Sequence, residues 1–199
     1  MRTFIRAAMA AAILIAIYVF STGFGASSGP DIADQGKAPE FTDIDHWLNS
    51  PPLSMRELRG KVVLVDFWTY SCINCIHTLP YVKQWHEKYK DQGLVVVGVH
   101  TPEFAFEKST ANVQEAIQRF GIRYPVAQDN AYATWSAFRN QYWPATYLID
   151  AQGRIVYRHY GEGNYAETEA AIQKLLAQRT SPPEDAKSKS VVGAGADRS

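Results

Sequence analysis

Cysteine is scarce in this chain, with two thiols in 199 residues. Histidine is scarce as well: there are five, and no His-x3–5-His pair stands beside the cysteines. A structural zinc site needs four such ligands and a catalytic one needs three, so no metal is expected. Neither sign of charge is in surplus, because 20 Lys and Arg face 20 Asp and Glu. A chain so balanced lacks the basic footprint that a phosphate backbone requires, and nucleic acid is not an expected partner. Internal repeats are absent, and no cofactor is expected. What the chain does have is aromatic surface, with five Trp and eleven Tyr. Side chains of that kind fill cores and line peptide grooves.

The first residues read as an address. Arg2 and Arg6 precede an apolar run from Ala7 to Phe20, and small residues follow at Gly23, Gly25 and Ser27. A basic start, an apolar stretch and a small-residue exit make residues 1–26 a signal peptide or an uncleaved membrane anchor. No clean A-x-A site marks a cut. Uncharged residues continue from Ala7 to Pro30, long enough to span a bilayer. The arginines would remain on the cytoplasmic side, which places the body in an extracytoplasmic, periplasmic compartment. Residues 27–40 are rich in Gly, Ser and Asp and read as a linker. Residues 179–199 have too little apolar content to order themselves and read as a disordered tail. The folded body is then 41–178.

Within the body, "KVVLVDFWT" (Lys61 to Thr69) and "LVVVGV" (Leu94 to Val99) are continuous apolar runs, the pattern of strands buried on both faces. Cys72 to about Tyr89 carries Leu79, Val82 and Trp85 at helical spacing, with Pro80 inside it. Val113, Ala116, Ile117 and Phe120 predict a second helix that stops at Gly121. A short strand over Tyr124 to Ala127 and a short helix over Tyr132 to Phe138 follow. Ala145 to Asp150 and Ile155 to Tyr160 make a hairpin around Ala151-Gln152-Gly153. The last helix opens at Asn164, with Glu167 three residues on as a capping box. Strands alternating with helices, then a hairpin and a helix, predict an α/β fold with a mixed central β-sheet flanked by helices on both faces.

Both thiols stand in "DFWTYSCINCIHTLPY", Asp66 to Tyr81. Haem attachment needs His directly after the second Cys, but Ile76 holds that place and His77 comes one later. A purely structural staple closes too short a loop to remove much chain entropy. A redox pair explains the spacing better, and an exported chain is where a disulfide persists. Cys72 follows a buried strand and opens a helix, with Ser71 as candidate N-cap. The positive end of the helix favours a thiolate there, so Cys72 is the expected nucleophile. Cys75, one turn inward, is the expected resolving thiol. Asp66 is a carboxylate in an apolar strand; burial raises its pKa and suits it to accept the Cys75 proton.

These residues resemble the active-site segment of the thioredoxin-like superfamily, with Asp66, Trp68, Cys72, Cys75 and Pro80 in corresponding places. "LRGKVVLVDFWTYSCINC", "GLVVVGVHTPEFAFEK" and "YPVAQDNAYATWSAF" followed by "NQYWPATYLIDAQG" resemble the membrane-associated TlpA-type group, and within it the thioredoxin-like domain of DipZ proteins. The likeness runs from about Phe41 to Leu176 and implies a thioredoxin-like fold. It implies that Pro144 is cis and faces the cysteines, with the Trp143 backbone turned to pair with an incoming peptide. It also implies that Trp68 shapes the surface near the site. Ile73 and Asn74 stand between the cysteines where thioredoxin has Gly-Pro, and Thr78 stands where cytochrome-maturation reductases carry Glu. Glu103, just beyond the second buried strand, is a candidate second acid on the same rim.

The leading expectation is a thiol–disulfide oxidoreductase acting on exported thiol or disulfide proteins, supplied by a membrane electron donor or acceptor. One alternative is a thiol peroxidase (redoxin) on the same fold. Thr69 lies three before Cys72 as in that group, but Val65 stands where a Pro is expected. A copper chaperone or a redox-silent docking module is the alternative from another class.

Overall fold

The computed structural model describes residues 29–180. The export or anchor segment 1–26 and the tail beyond 180 lie outside the described residues. The elements are β1 (His46–Leu48), β2 (Val62–Trp68), α1 (Ile73–Tyr89), β3 (Leu94–His100), α2 (Thr110–Phe120), β4 (Val126–Gln128), α3 (Ala133–Ala137), β5 (Ala145–Ile149), β6 (Ile155–Tyr160) and α4 (Tyr165–Thr180). A 3-10 turn, Ala105–Lys108, lies between β3 and α2. The sheet order is β1-β4-β3-β2-β5-β6. β2, β3 and β4 run parallel, while β1, β5 and β6 each pair antiparallel with a neighbour. This is the mixed sheet that the alternation of strands and helices predicts.

All seven residues of β2 are buried, which explains why the strand reads as a run rather than an alternation. Val62, Leu64 and Trp68 face a core shared with Leu79, Val82 and Trp85 of α1, Val113 and Ile117 of α2, and Ile172 and Leu175 of α4. Val63, Val65 and Phe67 face the other core, with Tyr147, Phe138, Met55 and Leu58. Two right-handed crossovers stepping the same way across the sheet put α1 and α2 on one face. Among the described residues, the five-residue α3 and the stretch that includes Ala38, Met55 and Leu58 cover the opposite face.

Several boundaries differ from the sequence reading. Strand β1 is unanticipated; at three residues it is too short to carry a period. The segment read as a linker is docked from Ala33 onward. Ala33 and Gln35 donate to the carbonyls of Val156 and Ile155, Ala38 donates to Gly153, and Ile155 donates back to Gly36. Those bonds cover the start of the outer edge of β6, at Ile155 and Val156. Helix α4 extends to Thr180, two residues past the expected end of the body. At its start, Asn164 Nδ2 donates to Glu167 Oε2 at 2.7 Å, a side-chain pair in place of the reciprocal capping box. No helix among the described residues is long and apolar enough to cross a membrane.

Candidate active site

β2 and β3 end together, with Trp68 opposite His100 in register. The chain leaves β2 through Thr69, Tyr70 and Ser71 and enters α1 with Cys72. Cys72 itself is the N-cap, extended at φ −73 and ψ 116, and its Sγ accepts the Cys75 amide at 3.4 Å. Ser71, the expected cap, is turned elsewhere: its hydroxyl donates to Glu107 Oε1 at 2.5 Å. The nucleophile therefore occupies the point where the orphan amides of the helix start converge.

Both cysteines are free thiols, Cys72 half-buried and Cys75 buried. The hydrogen bond from the Cys75 thiol holds Cys72 down at about 6, helped by the backbone amides of Cys75 and Asn74. Burial and the charge of Glu103 oppose that shift. The same thiol–thiol bond, with burial behind it, pushes Cys75 far above the ordinary thiol range. One thiol is thus prepared to act as thiolate while the other keeps its proton.

Asp66 is 1% exposed. Alternation along β2 points it to the face of Leu64 and Trp68, the face whose core contains Cys75. Burial alone raises its pKa to about 8. Its Oδ1 has no hydrogen-bond partner, and neither do the buried Trp68 Nε1 and Tyr124 hydroxyl. The Asp66 charge in turn raises the Cys75 thiol, so the two groups sense each other. Opposite Asp66 in register stands Gly98. A Cβ there would meet Trp68 Nε1 and Tyr124 Cε2, each at 3.0 Å, so the glycine makes room for both rings.

Of the expected substrate-facing residues, Ile73 is 60% exposed and Asn74 is exposed, both on the first turn of α1. Trp143 is half-buried, and its Nε1 donates to the Thr101 carbonyl at 3.0 Å. The Trp143–Pro144 bond is cis, and Pro144 is buried. Trp68 corrects the expectation: its exposure is zero, with its ring edge-on to His100 at 5.2 Å. It packs under the site and offers no surface to a substrate. Glu103 is exposed, and its charge acts on Cys72. Thr78 is buried, with its hydroxyl donating to the Asn74 carbonyl at 2.9 Å.

The acid that sequence reasoning missed is Glu107, with zero exposure. Besides Ser71, it accepts the amides of Glu103 at 2.6 Å and Phe104 at 2.9 Å. Burial works against its charge, but the bonds from Ser71, Thr69 and the two amides outweigh it and hold the carboxyl below its usual range. The only signal was its place in "HTPEFAFEK", directly after a buried strand. Among the described residues, no three His, Cys, Asp or Glu side chains cluster closely enough to hold a metal ion.

A mixed sheet whose central strand feeds a helix opened by paired thiols is the thioredoxin-like architecture, and this chain has it. Residues 33–176 match the Redoxin family model, and the chain belongs to that family. It is 54% identical to Protein DipZ of Mycobacterium tuberculosis over 144 residues, 71% of this chain and 21% of that one. The chain thus spans about a fifth of the length of that relative. Thiol-disulfide oxidoreductase YkuV of Bacillus subtilis is 31% identical over 140 residues, covering 70% of this chain and 94% of YkuV. Among solved structures, a thioredoxin-like protein in its oxidised form matches with a TM-score of 0.66 and 30% identity, over 72% of this chain and 96% of that one.

Proposed function

We propose that this chain is an exported thiol–disulfide oxidoreductase that reduces or exchanges disulfides through Cys72 and Cys75. The observation that carries the reading is the asymmetry of the pair: a half-exposed sulfur capping a helix, bonded to a buried thiol one turn inward. The Cys72 thiolate attacks one sulfur of a substrate disulfide. A Cys72–substrate bond forms, and the substrate's other sulfur leaves as a thiolate that takes a proton from solvent. Cys75 then gives its proton to ionised Asp66 and attacks the Cys72 sulfur. The second substrate thiolate leaves and takes the proton from Asp66, which returns to its ionised form, and the chain holds a Cys72–Cys75 disulfide. A dithiol donor on the membrane side returns two electrons and two protons.

The YkuV and DipZ likenesses support this chemistry. The basic start and apolar run of residues 1–26 support export, with the body on the extracytoplasmic side. In this reading Ile73, Asn74 and the Trp143–Pro144 segment are the substrate contacts, while buried Trp68 packs beneath the site. Peroxide reduction is the second reading, favoured by the Redoxin match. Against it, Val65 stands where that group carries Pro, and the charged side chain acting on Cys72 is the acid Glu103.

Turnover of the purified dithiol protein on a cystine-containing peptide and on hydrogen peroxide, with one regenerating dithiol, separates the two. Disulfide reduction at least tenfold faster than peroxide consumption, lost in Cys72→Ala, is expected. The opposite order would assign the chain to peroxide.

A further inference from the structure

The segment between β3 and α2 has a design that the thiol chemistry does not use. Phe104 and Phe106 are 51% and 55% exposed, with rings stacked 5.6 Å apart and 5° from parallel. Phe106 also lies against the ring of Tyr70 at 6.2 Å. The Tyr70 hydroxyl donates to the Phe106 carbonyl at 3.0 Å, and Asn112 Nδ2 donates to the same oxygen at 3.1 Å. Glu107 lies beneath, fully buried, with one carboxylate oxygen on Ser71 and the other on two amides of the segment. Burying a carboxylate is costly unless each oxygen is bonded. Here it is buried to join residues 103–107 to the residue directly before the nucleophile.

We propose that residues 101–108 form a recognition arm, latched to the nucleophile's turn by Glu107, whose Phe104–Phe106 pair selects polypeptide disulfides flanked by apolar side chains. The inference rests on the oxidoreductase reading and names its substrate class. The exposed pair leans on Tyr70, two residues before half-buried Cys72, and exposed Ile73 follows the nucleophile, so an extended segment whose cystine reaches Cys72 would meet apolar side chains on both sides of it in the chain. Glu103 at the base of the arm places a negative charge near Cys72, which disfavours acidic flanks. Phe104 and Phe106 touch substrate; Glu107 is a positioning residue.

The test uses two cystine peptides of equal length in the dithiol-regenerated assay. One has Leu and Phe beside the cystine, the other Ser and Asp. The full chain should show a kcat/KM ratio of at least about tenfold in favour of the apolar peptide, expressed chiefly in KM, the scale expected when aromatic surface is covered. Phe104→Ser with Phe106→Ser, two surface changes, should bring the ratio close to one. Glu107→Ala should do the same by freeing the arm, and Glu107→Gln, which can keep three of the same contacts, should restore most of it. A ratio near one in the unaltered chain, or one preserved in the double variant, would overturn the proposal. A dimer that the double variant splits while the ratio holds would assign the patch to a second copy, and would also overturn it. If the unaltered chain reduces neither peptide, the oxidoreductase reading fails, and the arm's role fails with it.

Discussion

Cys72 and Cys75 are the same residue type three positions apart, and the fold gives their protons opposite behaviour. The difference comes from one hydrogen bond, used by Cys72 as acceptor and by Cys75 as donor, reinforced by unequal burial. Alkylation of the reduced protein should therefore show one fast thiol with a pH midpoint near 6. Removing its donor in Cys75→Ala should move that midpoint upward toward ordinary cysteine, as followed by thiolate absorbance. Asp66 supplies a second prediction. Its folded pKa of about 8 lies above the ordinary carboxyl value, so the unfolded state releases the proton first. Stability should fall as pH rises from about 4 to about 8. Asp66→Asn should remove that fall, raising stability at pH 8 by roughly 2–5 kcal/mol and changing little near pH 4. Urea titrations at the two pH values check it. In turnover, the same variant should slow resolution and lose the rising limb near pH 8.

At the scale of elements, β2 was legible because both its faces are covered, and continuous burial leaves a continuous apolar run. The same logic made Asp66 visible, since a carboxylate inside such a run stands out. Gly98 gave no comparable signal. Its need comes from Trp68 and Tyr124 meeting above it, and that contact exists only once β2, β3 and the approach to β4 are assembled. Gly98→Ala should cost about 1–3 kcal/mol in thermal or denaturant unfolding, because two buried rings have no room to yield. Free accommodation of the methyl would show that this packing is looser than the distances indicate. The helix cap was legible to within one residue. Ser71 has the ordinary capping chemistry, but Glu107 draws its hydroxyl away and leaves the cap to sulfur. Glu107 was invisible for the same reason as Gly98: one of its partners, Ser71, stands 36 positions back in the chain.

On the scale of the whole molecule, parallel strands bring the ends of β2 and β3 to one rim, and that rim carries the nucleophile, the arm and its latch. The mixed α/β sheet and the thiol pair were readable from periodicity and spacing, because they depend on local pattern, while the thioredoxin-like class came from the resemblance of the segments around the thiols. What was not readable depends on long-range closure: the docking of residues 33–38 along β6, the complete burial of Trp68 and the place of Glu107. All three follow from packing between segments far apart in sequence. The account's central claim is that Cys72 attacks and Cys75 resolves, and trapping tests it most directly. Incubated with oxidised polypeptide, Cys75→Ala should accumulate a covalent adduct on Cys72, seen by mass and released by dithiol, while Cys72→Ala accumulates none. Adducts formed by Cys72→Ala but not by Cys75→Ala would contradict the account.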